Sequence, residues 1–285
     1  SIVISSFLNV KNVIYTSFIK SKKIVLIHGS DANTKDLLRK FIFKFYLNKL
    51  DRIICVSNYT KKILLNNYKN IKNKTIVVHN GFSRDKLDKI DYQFKKKISK
   101  KRKVSILTIA NFVPRKNIQD VIEIFYKINL KMKNKFHLNI VGQGSEKNNL
   151  LKLIKYYKLE KNISIFSNLN NFKIASIFEA SRFFFLFSKN YKHEFEGFGI
   201  VFLEAMYKKN IIFASRNGGM VDILKNNKNA FTFNAEKSNY KNKVLNIFFK
   251  TISNKRMQQK IIRNALRYSK NFSWEKNINS IINSL

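Results

Sequence analysis

The sequence predicts an α/β protein made of two doubly wound, mainly parallel sheets facing each other across a cleft. Three observations lead there. Short branched apolar runs alternate with longer amphipathic stretches, the pattern of repeated strand–helix units. The pattern restarts after a basic stretch, as two units joined by a hinge require. At 285 residues and 45% hydrophobic content, the chain exceeds one average domain and can fill two ordinary cores.

In the first unit, residues 12–15, 23–27, 52–56 and 75–78 read as strands, and 35–50 and 60–67 as helices. The hinge is placed in the basic stretch 91–103. In the second unit, strands are expected at 104–109, 136–141, 163–166, 183–186 and 210–215. Helices are expected at 118–132, 146–157, 172–180, 199–207 and 220–224. The tail from 239 to 285 reads as two or three helices, with a break at Phe272, Ser273 and Trp274. Ligands of such a fold bind outside the carboxyl ends of the strands.

Composition narrows the setting. One cysteine, Cys55, excludes an intramolecular disulfide and suits a cytosolic compartment. No run of some eighteen apolar residues, the length that spans a bilayer, occurs. The formal charge of +39 attracts polyanions, including nucleotide diphosphates and the inner face of an anionic membrane. Its lysines are scattered over helix faces, so no shaped nucleic-acid groove and no specific nucleic-acid partner are expected. A general drift toward Lys, Asn, Ile and Phe accounts for the same charge. The four histidines are dispersed, there is no Asp-x-Asp pair, and no metal is expected.

Four segments carry polar chemistry at strand ends. Gly142 and Gly144 sit in Val-Gly-Gln-Gly-Ser, between a strand and a helix, where backbone amides can approach an anion. A bare turn uses glycine equally well, and neither a full GxGxxG nor a Walker A motif is present. The stretch His193 to Ala205 places Glu196 in a glycine loop and Glu204 on the following helix. Phe198, Gly199 and Ile200 present amides at that helix start, and the two carboxylates can grip different parts of one elongated ligand. Arg115 and Lys116 follow the first strand of the second unit, where a cation neutralises a phosphate and the charge developing on a leaving group. His28, Gly29, Ser30 and Asp31 end a strand of the first unit. His28 is either a polar group facing the cleft or a structural residue.

Together these segments resemble the retaining glycosyltransferases of the two-domain GT-B fold, family four. The resemblance runs from about Lys22 to the C-terminus. Its most specific part is Glu196, Gly197, Phe198, Gly199 through Glu204 and Ala205, then Gly218, Gly219 and Asp222. Val56-Ser57, Asn80-Gly81, Pro114-Arg115-Lys116 and Val141 to Gly144 match in the same order. By that resemblance, residues 1–95 are a partial N-terminal, acceptor-side domain and 96–103 a linker. Residues 104–285 are the donor domain, with terminal helices returning toward the first. The resemblance makes a nucleoside diphosphate sugar the donor substrate, with no cofactor, and a glycan or lipid-linked molecule of the cell envelope the acceptor. It gives Lys116 the pyrophosphate, Glu204 the ribose, and Glu196 the hexose. His28 reaches across the cleft, and Gly218 and Gly219 turn beside the base and ribose pocket.

The chain departs from the family in three places. Ala110 and Asn111 stand where the family has Gly-Arg, so one expected diphosphate cation is absent, with Arg115 as a partial substitute. Asn117 replaces a common glycine, and Asp222 a glutamate. The histidine at position 28 comes early, which implies that the chain starts part-way into its first domain. Two other functions fit the architecture: a binding-only or inactive fragment, and an epimerase or phosphorylase.

Overall fold

Residues 2–5, 20–34, 36–99 and 103–284 are described by a computed structural model. They form two parallel sheets. The first has the order β1 (Ile2–Ser5), β2 (Lys22–Ile27), β3 (Arg52–Cys55), β4 (Thr75–Val77). Side chains alternate across it. Val25, Ile27, Ile53 and Cys55 meet Phe43, Tyr46 and Leu47 of α1 (Leu37–Asn48) and Leu64 of α2 (Asn58–Asn67). On the opposite face, Ile24 and Ile54 pack with Ile281 of the C-terminal helix α11 (Trp274–Ile282).

Between these units come the short helix α3 (Asp85–Asp88) and α4 (Tyr92–Ser99). The second sheet is built from β5 (Val104–Ile109), β6 (Phe136–Val141), β7 (Ile163–Phe166), β8 (Phe183–Leu186), β9 (Ile211–Ser215) and β10 (Phe231–Phe233). Its order is β10-β9-β8-β5-β6-β7, every pair parallel. The helices are α5 (Ile118–Lys131), α6 (Lys147–Tyr156), α7 (Asn171–Glu179), α8 (Ile200–Tyr207), α9 (Tyr240–Ser253) and α10 (Lys255–Ser269). They cover both faces, which is why β8 is apolar at every position. Phe183 and Phe185 enter the core shared with Phe213 and Phe248, while Phe184 and Leu186 enter the other with Phe202 and Met206.

The two units are joined by side chains as well as by the chain. Asp222 accepts hydrogen bonds from the Asn58 backbone amide at 2.7 Å, its side-chain amide at 3.0 Å, and His79 Nε2 at 3.0 Å. Burial raises the Asp222 carboxyl, but the bonds from His79 and Asn58 outweigh it and hold the group below its usual range. Arg52 Nε donates to the Ser284 carbonyl at 2.8 Å, and Asn277 to the His79 carbonyl at 2.8 Å.

Several elements differ from the sequence expectation. The strand read at 12–15 lies outside the described residues. Two short strands, β1 and β10, had not been anticipated, because three or four residues are too few to show a period. The helix read at 220–224 is a 3-10 turn over Gly218–Asp222. Residues 96–99, read as the start of a linker, are the last turn of α4. Ile90, Phe94 and Ile98, four apart, pack beside α7, and Lys95 Nζ meets Glu179 at 2.5 Å.

Candidate active site

The strand order of the second sheet reverses at β5, which has β6 on one side and β8 on the other. The loops that leave β5 and β8 at their carboxyl ends therefore diverge and open a crevice. A cleft of about 440 Å³ lies there, and Lys116, Gly142, Glu196, Gly199, Ile200 and Glu204 are among the residues that line it. Six positions singled out from sequence thus share one wall.

Local sequence explains each loop. After β5, Pro114–Lys116 form a 3-10 turn that ends at Asn117, in the left-handed region at φ 49°. Asparagine is among the few residues that tolerate this conformation, so it can serve where the family uses glycine. Its side-chain amide also donates to Asp120 Oδ2 at 2.6 Å and to the Phe187 carbonyl at 3.1 Å, tying the β5 loop to the end of β8. Asp120 further accepts from Lys189 at 2.7 Å and pairs with Lys241 at 2.5 Å. Burial raises its carboxyl, yet these bonds with those of Tyr240 and Asn117 bring it down to about 2.

In the β8 loop, Glu196 is gripped by both cations of the β5 loop. Arg115 donates to its Oε2 at 3.0 Å, and Lys116 Nζ makes a close ion pair with the same oxygen. The Glu196 side chain is 13% exposed. Burial favours its neutral form, but attraction from Lys116 and Arg115 and their hydrogen bonds dominates, so it is held below the usual carboxylate range. Glu204 differs. It lies on α8 facing the same cleft, and no side-chain hydrogen bond to it is found among the described residues. Burial pushes its carboxyl above the usual range, and Lys86 only partly offsets this.

The other selected residues shape the site without lining this cleft. Gly144 turns the chain beneath Phe112, and Arg115 supports Glu196 from behind, with Glu194 3.6 Å away. Phe198 is buried in the core, where its ring stacks on His79 at 5.4 Å between centroids. Gly218 and Gly219, expected beside a base and ribose pocket, instead back the acidic loop. The Gly219 amide donates to the Glu196 carbonyl at 2.6 Å. His28 follows β2 and is not among the residues that line the cleft. Its carbonyl is pressed against Gly197, and Asp31 accepts from the His28 and Gly29 amides at 3.3 and 2.8 Å.

Sequence reasoning overlooked Asn168, Leu169 and Ile174, which follow β7 and complete the cleft. Their signal was positional, since every loop after a strand of a parallel sheet opens on the same side. It also overlooked Lys86, which lines a neighbouring hollow that shares Glu204.

At Gly197 the backbones of the two units pack directly against each other. A Cβ there would overlap the His28 carbonyl oxygen and come within 3.1 Å of Gly29 Cα, both backbone atoms that cannot swing away. Gly197→Ala is expected to destabilise the protein by about 1–3 kcal/mol, the usual cost of overpacking. Urea unfolding measures it, and an unchanged midpoint would show that the loop yields.

Residues 88–268 match the glycosyl transferases group 1 family and residues 16–86 match glycosyltransferase family 4. The chain belongs to the group 1 glycosyltransferases. An uncharacterised glycosyltransferase of Methanocaldococcus jannaschii is 30% identical over 262 residues, covering 89% of this chain and 65% of the relative. N-acetyl-alpha-D-glucosaminyl L-malate synthase of Bacillus anthracis is 29% identical over 205 residues, covering 70% of this chain and 49% of the relative. The chain thus spans about two thirds or less of these relatives' lengths. Among solved structures, Anabaena HepE in complex with UDP-glucose superposes with a TM-score of 0.83 at 16% identity, covering 100% of this chain and 79% of that one. A glycosyltransferase of Rickettsia africae gives a TM-score of 0.82 at 23% identity, covering 99% and 75%. The fold is accordingly GT-B, two Rossmann-like domains across a cleft. Among the described residues, no group of His, Cys, Asp and Glu could hold a metal ion, and no helix is long and apolar enough to cross a membrane.

Proposed function

We propose that this chain transfers a sugar, with retention at the anomeric carbon, from a nucleoside diphosphate sugar to a glycan or lipid-linked acceptor of the cell envelope. The observation that carries this reading is one cleft at the switch point of a parallel sheet, lined together by Lys116, Glu196 and Glu204.

In this reading the donor lies along the carboxyl ends of β5, β6 and β8. Lys116 turns from Glu196 toward the pyrophosphate and stabilises the charge that grows as the diphosphate leaves. Arg115 stays with Glu196 and keeps it ionised, which frees Lys116 for the diphosphate. Glu196 then positions the hexose, and the amides at the start of α8, around Phe198, Gly199 and Ile200, meet phosphate and sugar. Glu204, without a partner in the free protein, accepts from the ribose hydroxyls. The leaving phosphate itself assists the incoming hydroxyl on the same face, so neither glutamate becomes a covalent nucleophile. His28 approaches from the first domain as the cleft closes, which excludes water.

UDP-glucose, the ligand of Anabaena HepE, is the first donor to try. Incubation with a panel of saccharide and lipid acceptors should give a product whose new linkage keeps the donor's anomeric configuration, read by NMR. An inverted product refutes the retaining reading. Donor binding with no transfer to any acceptor favours a binding-only protein.

A further inference from the structure

Helix α1 exposes apolar side chains on a face that no other described element covers. Leu37 is 80% exposed, Leu38 69%, Phe41 66% and Phe45 62%. At 100° per residue these four fall within one stripe about 100° wide on the side opposite Phe43, Tyr46 and Leu47, which bind the sheet. Lys40 and Lys44 border the stripe on one side, and Lys49, just beyond the helix, borders it on the other. The Phe41 and Phe45 ring centroids are 6.1 Å apart, and Lys49 Nζ lies 5.6 Å from the Phe45 ring. A second exposed row, Trp274, Ile278 and Ile282 on α11, is smaller and each member is less exposed, at 41%, 52% and 57%. Four large apolar groups side by side on α1 are the larger patch, and water is a poor medium for them.

The flanking charge selects the occupant. An apolar stripe bordered by lysines is the arrangement of a helix lying in the plane of a bilayer, its apolar groups among acyl chains and its cations at anionic headgroups. A partner protein would need an acidic rim, and a second copy of a chain with net charge +39 brings the same basic rim to the contact. We infer that α1 is the element by which this protein sits on an anionic membrane, inserted through Leu37, Leu38, Phe41 and Phe45. β2 runs toward the cleft and α1 returns from it, so Leu37 and Leu38 lie at the cleft end of the first domain. Asn33, four residues before Leu37, donates to the His193 carbonyl of the β8 loop at 3.1 Å. A molecule rooted in the bilayer therefore emerges beside the opening of the site. This inference does not depend on the donor chemistry, since it concerns a surface apart from the donor cleft.

The test is co-sedimentation with vesicles of phosphatidylglycerol and phosphatidylethanolamine, with pure phosphatidylcholine for comparison. The unaltered protein should pellet with the anionic vesicles, and Phe41→Glu/Phe45→Glu should reduce its partitioning by about tenfold or more. Both side chains are exposed, so the variant should melt like the parent, and UDP binding by calorimetry checks its second domain separately. A control, Arg256→Glu/Arg263→Glu, changes more charge on the outer face of α10 and should bind anionic vesicles more tightly than the α1 variant. If the control loses as much as the α1 variant, attraction is diffuse and the inference fails. It also fails if the parent does not pellet, or if it forms a dimer that Phe41→Glu/Phe45→Glu dissolves while vesicle binding is unchanged.

Discussion

Lys116→Ala is expected to lower the turnover of sugar transfer by about 10²–10³-fold, the range for removing one preorganised group that stabilises developing charge. The loss should appear in kcat more than in KM, because charge on the leaving diphosphate is greatest in the transition state. The geometry argues that the variant will fold. Glu196 retains Arg115 at 3.0 Å after Lys116 is gone, so the carboxylate is not left bare. The stability loss should be smaller than the roughly 3–5 kcal/mol seen when a buried charge loses its sole partner.

The pH dependence gives a second readout. Glu196 is held below the ordinary carboxylate range, so its stabilising contribution is present above the unfolded value and is lost as pH falls through the folded one. Removing Lys116 weakens that depression, and acid unfolding should begin at a higher pH in Lys116→Ala. Steady-state kinetics with acid melts of the same preparation checks both effects. Normal turnover in a folded variant would assign phosphate stabilisation to another group, with Arg115 the first to examine.

How far the sequence could be read depended on the kind of signal. The strands of the second sheet were legible because both faces are covered, which makes runs such as Phe183 to Phe187 apolar throughout. Lys116, Glu196 and Glu204 could be grouped because each lies just after a strand or on the helix that follows. Their pairing could not be read. Nothing in residues 80 positions apart says that Lys116 will close on Glu196 while Glu204 stays without a hydrogen-bond partner. The contacts of Gly218, Gly219 and Asp222 were illegible for a similar reason. A glycine turn and an acid suggest a ligand, but here they form a joint with Glu196, Asn58 and His79. The stripe on α1 was visible only as helical periodicity, and which face meets the sheet is a tertiary fact.

Glu204→Gln is expected to weaken donor binding by about 10–100-fold, the equivalent of one or two hydrogen bonds to a charged group, while making the free protein more stable. The two effects have one cause. In the free protein Glu204 is partly buried beside Ile109, Ile174 and Ile200 with no hydrogen-bond donor found for its carboxyl. A desolvated carboxylate without a partner costs free energy, and that cost appears as a carboxyl raised above its usual range. The folded state then binds a proton more readily than the unfolded chain. Stability accordingly falls as pH rises from the unfolded value through the folded one, and the deficit persists at neutral pH. Glutamine keeps the shape and removes the charge, so the deficit should vanish and the pH profile flatten over that interval. A donor that brings two ribose hydroxyls to the carboxylate supplies the missing donors, which is why affinity moves in the opposite sense. Calorimetry with UDP and thermal melts from acidic to neutral pH measure the pair. A variant that binds UDP as well as its parent, or that melts lower at neutral pH, would show that Glu204 serves packing and has no part in holding the donor.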